Sequence, residues 1–216
     1  MSGGEAIASR PSVSAHAAAL ESRTSAIVLA AGRSSRMGTS KLLLPVSGQT
    51  VIQRVLSNLR SSRVGEIVVV VPPGSADWCA SLEGNKTRCV ENFDPSRGRT
   101  SSVKTGLTLL DPSQEAFLLV SGDMPLIRSD TFDAVLEKVL GSPEGIAVAT
   151  YQGRKGHPVA FHGRWRESLL SLQDDAPLNE LTRGAHVRVD TDDPGVLFNL
   201  NTPEDYEELK KIMGEG

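Results

Sequence analysis

The sequence predicts an α/β fold: a single-domain, three-layer αβα sandwich around a mostly parallel, Rossmann-like sheet. Two observations lead to this prediction. Short apolar runs alternate with amphipathic stretches from Ser25 onward, and the 216-residue length suits one domain with a sizeable core. Strands that alternate with helices imply right-handed βαβ units, with helices covering both faces of the sheet.

The predicted elements follow from hydrophobic spacing along the chain. Continuous apolar runs indicate strands buried on both faces, and they lie at 26–30, 67–71, 117–120, 146–151 and 157–161. Apolar residues three and four positions apart indicate helices at 50–60, at 100–110 and from Ser129. Thr50 and Ser129 are the expected N-caps of two of these helices, and Thr202 is the expected N-cap of the last one.

Composition excludes several classes of protein. The hydrophobic share of 39% and the charged share of 23% are ordinary, and a formal charge of -3 gives no general attraction to nucleic acid or to a membrane. Cys79 and Cys89 lack the spacing of a metal or redox motif, so we expect thiols in a cytoplasmic protein. We expect residues 1–24 to be a flexible leader and residues 25–216 to form the functional domain.

The first strand runs directly into a glycine-rich, basic segment, LAAGRSSRMGTSK, at 29–41. Its glycines allow a tight turn and close approach to a ligand, and its exposed amides can form a nest for an anion. Arg33, Arg36 and Lys41 add three cations, which suit a triphosphate. The segment matches neither G-x-x-x-x-G-K-[ST] nor G-x-G-x-x-G, which counts against a P-loop protein and a dinucleotide dehydrogenase.

A single carboxylate follows another buried strand, in the run LLVSGDMP at 118–125. Ligands of such sheets bind beyond the carboxyl ends of the strands, where Asp123 is expected. A Mg²⁺ ion carried by a triphosphate is held by only one or two protein carboxylates. Asp123 therefore suits a metal ligand, although an Asp two residues before Pro125 is also a common way to begin a turn.

The pattern LAAG-x-x-x-R-M-G-x-x-K closely resembles the signature loop of nucleotidyltransferases, which attach a nucleoside monophosphate to a sugar phosphate, a polyol phosphate or molybdopterin. From Ala26 onward the chain resembles the molybdenum cofactor cytidylyltransferase and guanylyltransferase group. This resemblance implies a fold of the nucleotide-diphospho-sugar transferase type and a Mg²⁺ cofactor. Ala31 stands where guanylyl-transferring relatives tend to have Gly, which favours a pyrimidine nucleotide, CTP.

The resemblance also implies roles for particular residues. The nucleotide contacts would be Leu29, Ala30, Ala31, Gly32, Arg33, Lys41, Arg99, Ser101 and Ser102. Arg36, Lys41 and Asp123 would be catalytic. The metal ligands would be Asp123 and Asn201, where relatives often have Asp; the Asn amide oxygen carries no charge and would weaken metal binding without abolishing it.

A basic segment, GRKGHP at 153–158, is predicted to be a turn that enters a strand. Because G-x-x-G-H-P-V-x-F resembles the acceptor-facing segment of the molybdopterin transferases, Gly156, His157 and Pro158 are expected at the acceptor. The segment DDAPLN at 174–179 lacks the glycine expected there, which leaves the acceptor open.

The implied activity is transfer of NMP from an NTP, best CTP, to a phosphorylated acceptor, best molybdopterin, with release of pyrophosphate. One alternative is a sugar-phosphate or polyol-phosphate nucleotidyltransferase. Another, of a different class, is a non-catalytic maturation factor that binds the cofactor for a molybdenum hydroxylase. The expected partners are therefore an NTP, the acceptor and such a hydroxylase, with neither nucleic acid nor membrane.

Overall fold

The structure, a computed structural model, describes residues 20–32, 41–84, 86–178, 184 and 186–215. Its strands are β1 Thr24–Leu29, β2 Pro45–Val46, β3 Gln49–Thr50, β4 Glu66–Val71, β5 Thr87–Glu91, β6 Ala116–Ser121, β7 Ile146–Tyr151, β8 Arg154–His162 and β9 Val187–Thr191. Its α-helices are α1 Val51–Arg60, α2 Ala76–Leu82, α3 Arg99–Leu109, α4 Ser129–Leu140, α5 Arg166–Ser171 and α6 Pro203–Ile212.

Across the described ranges, seven strands form one sheet in the order β5-β4-β1-β6-β8-β7-β9. Neighbouring strands pair in parallel except at β8, which runs antiparallel to both β6 and β7. The prediction of a mostly parallel sheet is confirmed. The short strands β2 and β3 form a separate hairpin.

Two apolar cores cover the faces of the sheet, because alternate strand residues point to opposite sides. On β1, Ala26 and Val28 face one core, which receives α1 and α4; Ile27 faces the other, which receives α3 and α5. This is the predicted three-layer αβα arrangement. No helix in the described part of the chain is long and apolar enough to cross a membrane.

Residues just before position 25 already pack against the domain. Of the predicted leader, the structure describes residues 20–24. Leu20 is buried in the core beside α1, and Thr24 is the buried first residue of β1. The hydroxyl of Thr24 donates a hydrogen bond to the Leu20 carbonyl at 2.8 Å, which fixes the entry to the sheet.

Helix caps divide into two confirmed predictions and one error. Thr50 and Thr202 cap α1 and α6 with complete capping boxes. Ser129, however, is the first helical residue of α4 rather than its N-cap. The N-cap is Arg128, whose side chain makes no capping hydrogen bond. Asp193, from the loop after β9, ties this helix start to the loop: its carboxylate accepts the Arg128 amide at 2.8 Å and the Thr131 hydroxyl at 2.8 Å.

The sequence predicted a turn for the basic segment 153–158, but the structure has most of this segment in a strand. The turn lies at Gln152 and Gly153, both with positive φ, and β8 already begins at Arg154. Gly156, His157 and Pro158 therefore lie inside a strand. Only Gly fits at position 156 without a shift of the backbone, because a Cβ there would approach the Val196 carbonyl oxygen to 2.1 Å.

Candidate active site

The carboxyl ends of β1 and β6 bring together segments that are far apart in sequence. The Gly122 amide donates to the Leu29 carbonyl at 3.0 Å, which ties the turn after β6 to the end of β1. The Leu200 amide donates to the Asp123 carbonyl at 3.0 Å, which brings the residues before α6 to the same edge. Asp123 thus lies on the ligand-binding edge, as the sequence predicts.

Lys41 lies between the two predicted metal ligands. Its Nζ donates to Asp123 Oδ2 at 2.6 Å and to Asn201 Oδ1 at 3.0 Å. The side chains of Lys41 and Asp123 are only 18% and 14% exposed, so water screens this ion pair less than one on the open surface. The 3₁₀ turn Lys41–Leu43 fixes Lys41 at this point, through the buried side chain of Leu42.

These residues fit a divalent cation. Oxygens of Asp123 and Asn201 already converge on one cation, the Lys41 ammonium. The other carboxylate oxygen, Asp123 Oδ1, is buried and accepts no hydrogen bond from the described residues. The described residues contain no cluster of three or more His, Cys, Asp or Glu side chains that could hold a metal without a ligand. Such a site suits an ion that arrives with phosphate oxygens.

A cavity of about 410 Å³ opens over this edge. Three kinds of group line it: the end of β1, the Lys41–Asp123 pair and the approach to α3. Its residues are Leu29, Ala31, Gly32, Lys41, Leu42, Pro95, Ser96, Gly98, Arg99, Ser102, Ser121 and Asp123. The predicted contacts Arg33 and Arg36 lie outside the described residues.

Asn92, which the sequence analysis did not single out, arranges the hydroxyls at the start of α3. Its buried Nδ2 donates to Ser101 Oγ at 2.9 Å and to Ser102 Oγ at 3.0 Å. Ser101 donates to the Gly98 carbonyl at 2.7 Å and does not line the cavity, whereas Ser102 does. Asn92 directly follows β5. The sequence of β5 is only weakly apolar, so the strand was not predicted and nothing drew attention to the residue after it.

A second cavity, of about 560 Å³, continues from the first across the sheet. Its lining is mostly apolar and includes residues from four strands: Leu29, Leu119, Val120, Val148, Val159 and Phe161. Arg99, Lys155, His157 and Asp175 supply its charged and polar groups. Leu29 and Arg99 line both cavities, so the two meet at these side chains.

His157 is a neutral group at neutral pH. Burial lowers the pKa of its imidazole to about 4, and the positive charge of Arg99 lowers it further while Asp123 opposes the shift. Its Nδ1 is buried with no hydrogen-bond partner among the described residues. The imidazole is therefore uncharged near neutral pH and cannot bind phosphate as a cation.

The predicted site residues divide by the direction of their side chains. Gly156 and His157 line the second cavity as expected. Pro158 is buried and does not line it, because neighbouring strand residues point to opposite faces. Ala30 is also buried, and its amide donates to the Val70 carbonyl at 2.8 Å instead of facing the first cavity.

Two joined cavities therefore lie above a mostly parallel sheet, with Lys41 and Asp123 at its carboxyl edge. Residues 26–189 match the family described as the MobA-like NTP transferase domain. Because this match spans most of the chain, the protein belongs to that family. The resemblance drawn from the glycine-rich loop is confirmed.

The chain is also similar to two curated relatives and to a solved structure. The purine catabolism protein PucB of Bacillus subtilis (strain 168) is 26% identical over 208 residues, which cover 87% of this chain and 96% of PucB. A probable molybdenum cofactor guanylyltransferase of Natranaerobius thermophilus is 30% identical over 207 residues, covering 88% and 97%. The Mycobacterium sp. strain JC1 homolog of Rv0371c superposes with a TM-score of 0.77 at 30% identity, covering 90% and 98%.

Proposed function

We propose that the protein transfers a nucleoside monophosphate from an NTP to a phosphorylated acceptor and releases pyrophosphate. The observation that carries this proposal is the junction of the two cavities at Leu29 and Arg99, beside Lys41 and Asp123. The NTP occupies the first cavity and the acceptor the second. An oxygen of the acceptor phosphate forms a bond to the α-phosphorus, and the bond from that phosphorus to the bridging oxygen breaks as pyrophosphate leaves.

The lining of the second cavity supports a flat, ring-bearing acceptor, for which molybdopterin is the best candidate. Leu119, Val148, Val159 and Phe161 offer apolar surface and no hydrogen-bonding side chain. Hydroxyls of a sugar or polyol phosphate that face these four side chains would lose water without gaining partners, at a cost in free energy. The Natranaerobius relative, a probable molybdenum cofactor guanylyltransferase, supports the same acceptor.

CTP is the proposed nucleotide. The support for a pyrimidine is Ala31, which lines the first cavity where guanylyl-transferring relatives tend to have Gly. The Ala31 methyl group also reduces the space beside the end of β1, which disfavours the larger purine ring.

The chemistry needs positioning and charge neutralisation more than proton transfer. Lys41 and Arg99 would donate to phosphate oxygens, and Asp123 with Asn201 would hold Mg²⁺. When bound, the ion would supply positive charge that stabilises the phosphates during transfer. A phosphate monoester is already ionised near neutral pH, so the neutral His157 need not act as a base.

The proposed setting is the cytoplasm, where Cys79 and Cys89 would stay as the free thiols that the structure describes. A molybdenum hydroxylase that receives the nucleotide-bearing cofactor is the proposed protein partner. A formal charge of -3 supports neither nucleic acid nor an acidic membrane as a partner.

The test is pyrophosphate release from each of the four ribonucleoside triphosphates with Mg²⁺, with molybdopterin, with a sugar phosphate or a polyol phosphate, and with no acceptor. The proposal expects the fastest release from CTP with molybdopterin. Faster release with a sugar phosphate or a polyol phosphate would show that molybdopterin is not the acceptor. Tight molybdopterin binding with no release from any NTP would show that the protein is a maturation factor and not an enzyme. Asp123→Asn is the inactive control.

A further inference from the structure

One wall of the second cavity, which we propose for the acceptor and call the acceptor cavity, is a segment with no regular secondary structure. Residues 172–178 follow the end of α5, and Asp175, Ala176, Pro177 and Leu178 from this stretch line the cavity. A helix or strand fixes its own backbone through a ladder of hydrogen bonds, but an irregular segment depends on contacts with its surroundings. The shape of the cavity therefore depends on whatever holds this segment.

Asp174 provides the strongest of these contacts. Its carboxylate forms ion pairs with Lys104 Nζ at 2.8 Å and with an Arg97 guanidinium nitrogen at 2.5 Å, and it is only 16% exposed. The hydrogen bond from Lys104, helped by the charge of Arg97, holds the pKa of the Asp174 carboxyl below its usual value. Lys104 also donates to the Leu172 carbonyl, so one ammonium group contacts the segment twice.

Two more contacts attach the same segment to the start of α3. The Thr100 hydroxyl donates to the Ala176 carbonyl at 2.6 Å. Gly98, with a φ of 102°, lies so close that a Cβ would come within 3.0 Å of the Asp174 carbonyl oxygen. Arg97, Gly98, Thr100 and Lys104 together form a clamp on residues 172–176.

The clamp also connects the two cavities. Gly98, Arg99 and Ser102 line the first cavity, and Gly98 is itself part of the clamp. The other clamp residues, Arg97, Thr100 and Lys104, lie next to them along the chain. The start of α3 would thus contact the nucleotide and also hold the wall of the acceptor cavity. It would thereby fix the distance between the nucleotide and the acceptor. That distance matters because transfer requires the reacting atoms to meet in line.

We infer that Asp174 is a positioning residue that determines acceptor binding, and that Arg97 and Lys104 serve the acceptor wall rather than the triphosphate. The inference rests on the proposed function. Both cations lie near a phosphate site, and by charge alone they would be assigned to phosphate. Their pairing with Asp174 gives them a different role, and the two roles predict opposite kinetic effects.

The experiment compares wild type with Asp174→Asn, which keeps the shape of the side chain and removes its charge. We expect the KM for molybdopterin to rise about tenfold while the KM for CTP and kcat stay nearly constant, since only the wall is loosened. Amide hydrogen exchange of residues 172–178 should accelerate in the same variant. Asp174→Glu, which keeps the charge, should recover part of the lost acceptor affinity.

Glu115→Gln is the matched control, because it removes an ion pair with Arg23 that lies at the opposite end of β6. It should change neither KM. An unchanged KM for molybdopterin in Asp174→Asn, or equal rises in both KM values, would overturn the inference. If wild type releases no pyrophosphate with molybdopterin, the proposed function fails by itself. Hydrogen exchange then decides the clamp: unaltered exchange of 172–178 in Asp174→Asn would reject it.

Discussion

The ammonium group of Lys41 lies 2.6 Å from Asp123 Oδ2 and 3.0 Å from Asn201 Oδ1, the two oxygens that would hold a metal ion. A lysine at this point has two consequences. It neutralises Asp123 in the absence of substrate, and it competes with any second cation for the same oxygens. A triphosphate that draws the ammonium group to itself would release both oxygens at the moment when its metal ion arrives.

Replacing Lys41 with methionine should therefore strengthen metal binding in the absence of nucleotide. Two unit charges a few ångströms apart interact by several kcal/mol even at an intermediate effective dielectric constant, so we expect at least about a tenfold fall in the Kd for Mn²⁺. Electron paramagnetic resonance of free Mn²⁺ measures this directly and needs no activity. The same variant should require more CTP, because it loses a phosphate contact.

Asp123→Asn is the control for that measurement, since it should weaken Mn²⁺ binding both in wild type and in the Lys41→Met background. Equal Mn²⁺ affinities of wild type and Lys41→Met would show that the lysine does not occupy the metal site.

Asn201 allows a second prediction about the metal. Changing Asn201 to Asp replaces a neutral oxygen ligand with a carboxylate and adds negative charge beside Asp123. We expect the Mg²⁺ concentration for half-maximal pyrophosphate release to fall about threefold or more, because carboxylates are the preferred protein ligands of Mg²⁺. Asn201→Ala should raise it. If the two variants shift the Mg²⁺ requirement in the same direction, Asn201 is not a ligand.

Sequence periodicity was enough for the central sheet because its strands are buried on both faces and read as continuous apolar runs. It failed for β5 and β9, which are the two edge strands of the sheet. Most residues of these strands are exposed or only partly buried. The short helix α2 was missed for a similar reason, since Leu82 is its only fully buried residue in the structure. Edge elements carry a weak pattern because only part of their surface joins the core.

The layout of the candidate site residues was predictable where a strand end fixes a position, as the end of β6 does for Asp123, whereas Lys41 lies in the 3₁₀ turn Lys41–Leu43. It was not predictable where a contact spans distant sequence. Asn92 positions Ser102, and Asp174 holds the acceptor wall, but neither residue belongs to a local motif. Side-chain direction was the other gap: adjacent residues His157 and Pro158 face opposite sides of β8, and only His157 reaches the cavity.

Asp193 should be the most important buried carboxylate for stability. It is 1% exposed and accepts three hydrogen bonds, from the Arg128 amide, the Thr131 hydroxyl and the Gly195 amide. Asp193→Ala leaves these donors without partners, so we expect the free energy of unfolding to fall by about 2–4 kcal/mol. Urea denaturation followed by circular dichroism measures the loss.

The neighbouring residue gives the control. Asp192 is 87% exposed and pairs with Arg128 at the surface, where water screens the pair, so Asp192→Asn should leave the free energy of unfolding nearly unchanged. Similar losses in the two variants would mean that the buried hydrogen bonds of Asp193 contribute no more than a surface ion pair.

His157 should make stability depend on pH. Its pKa is about 4 in the folded protein and near 6.5 when unfolded, so between these values the unfolded chain binds a proton that the folded chain does not. Stability therefore falls as pH drops through this window, by up to about 3 kcal/mol from this group. Arg99 adds to the shift, Asp123 opposes it, and Lys155 and Asp175 line the same cavity.

His157→Gln removes the titrating group and keeps a polar side chain. Because several carboxylates also titrate toward pH 4, the quantity to measure is the difference in unfolding free energy between variant and wild type at pH 7.5 and at pH 4.5. We expect the variant to lose less stability than wild type over this range. Parallel pH profiles for the two proteins would mean that His157 is protonated as easily in the folded state as in water, and that its imidazole is not the neutral contact assigned to the acceptor.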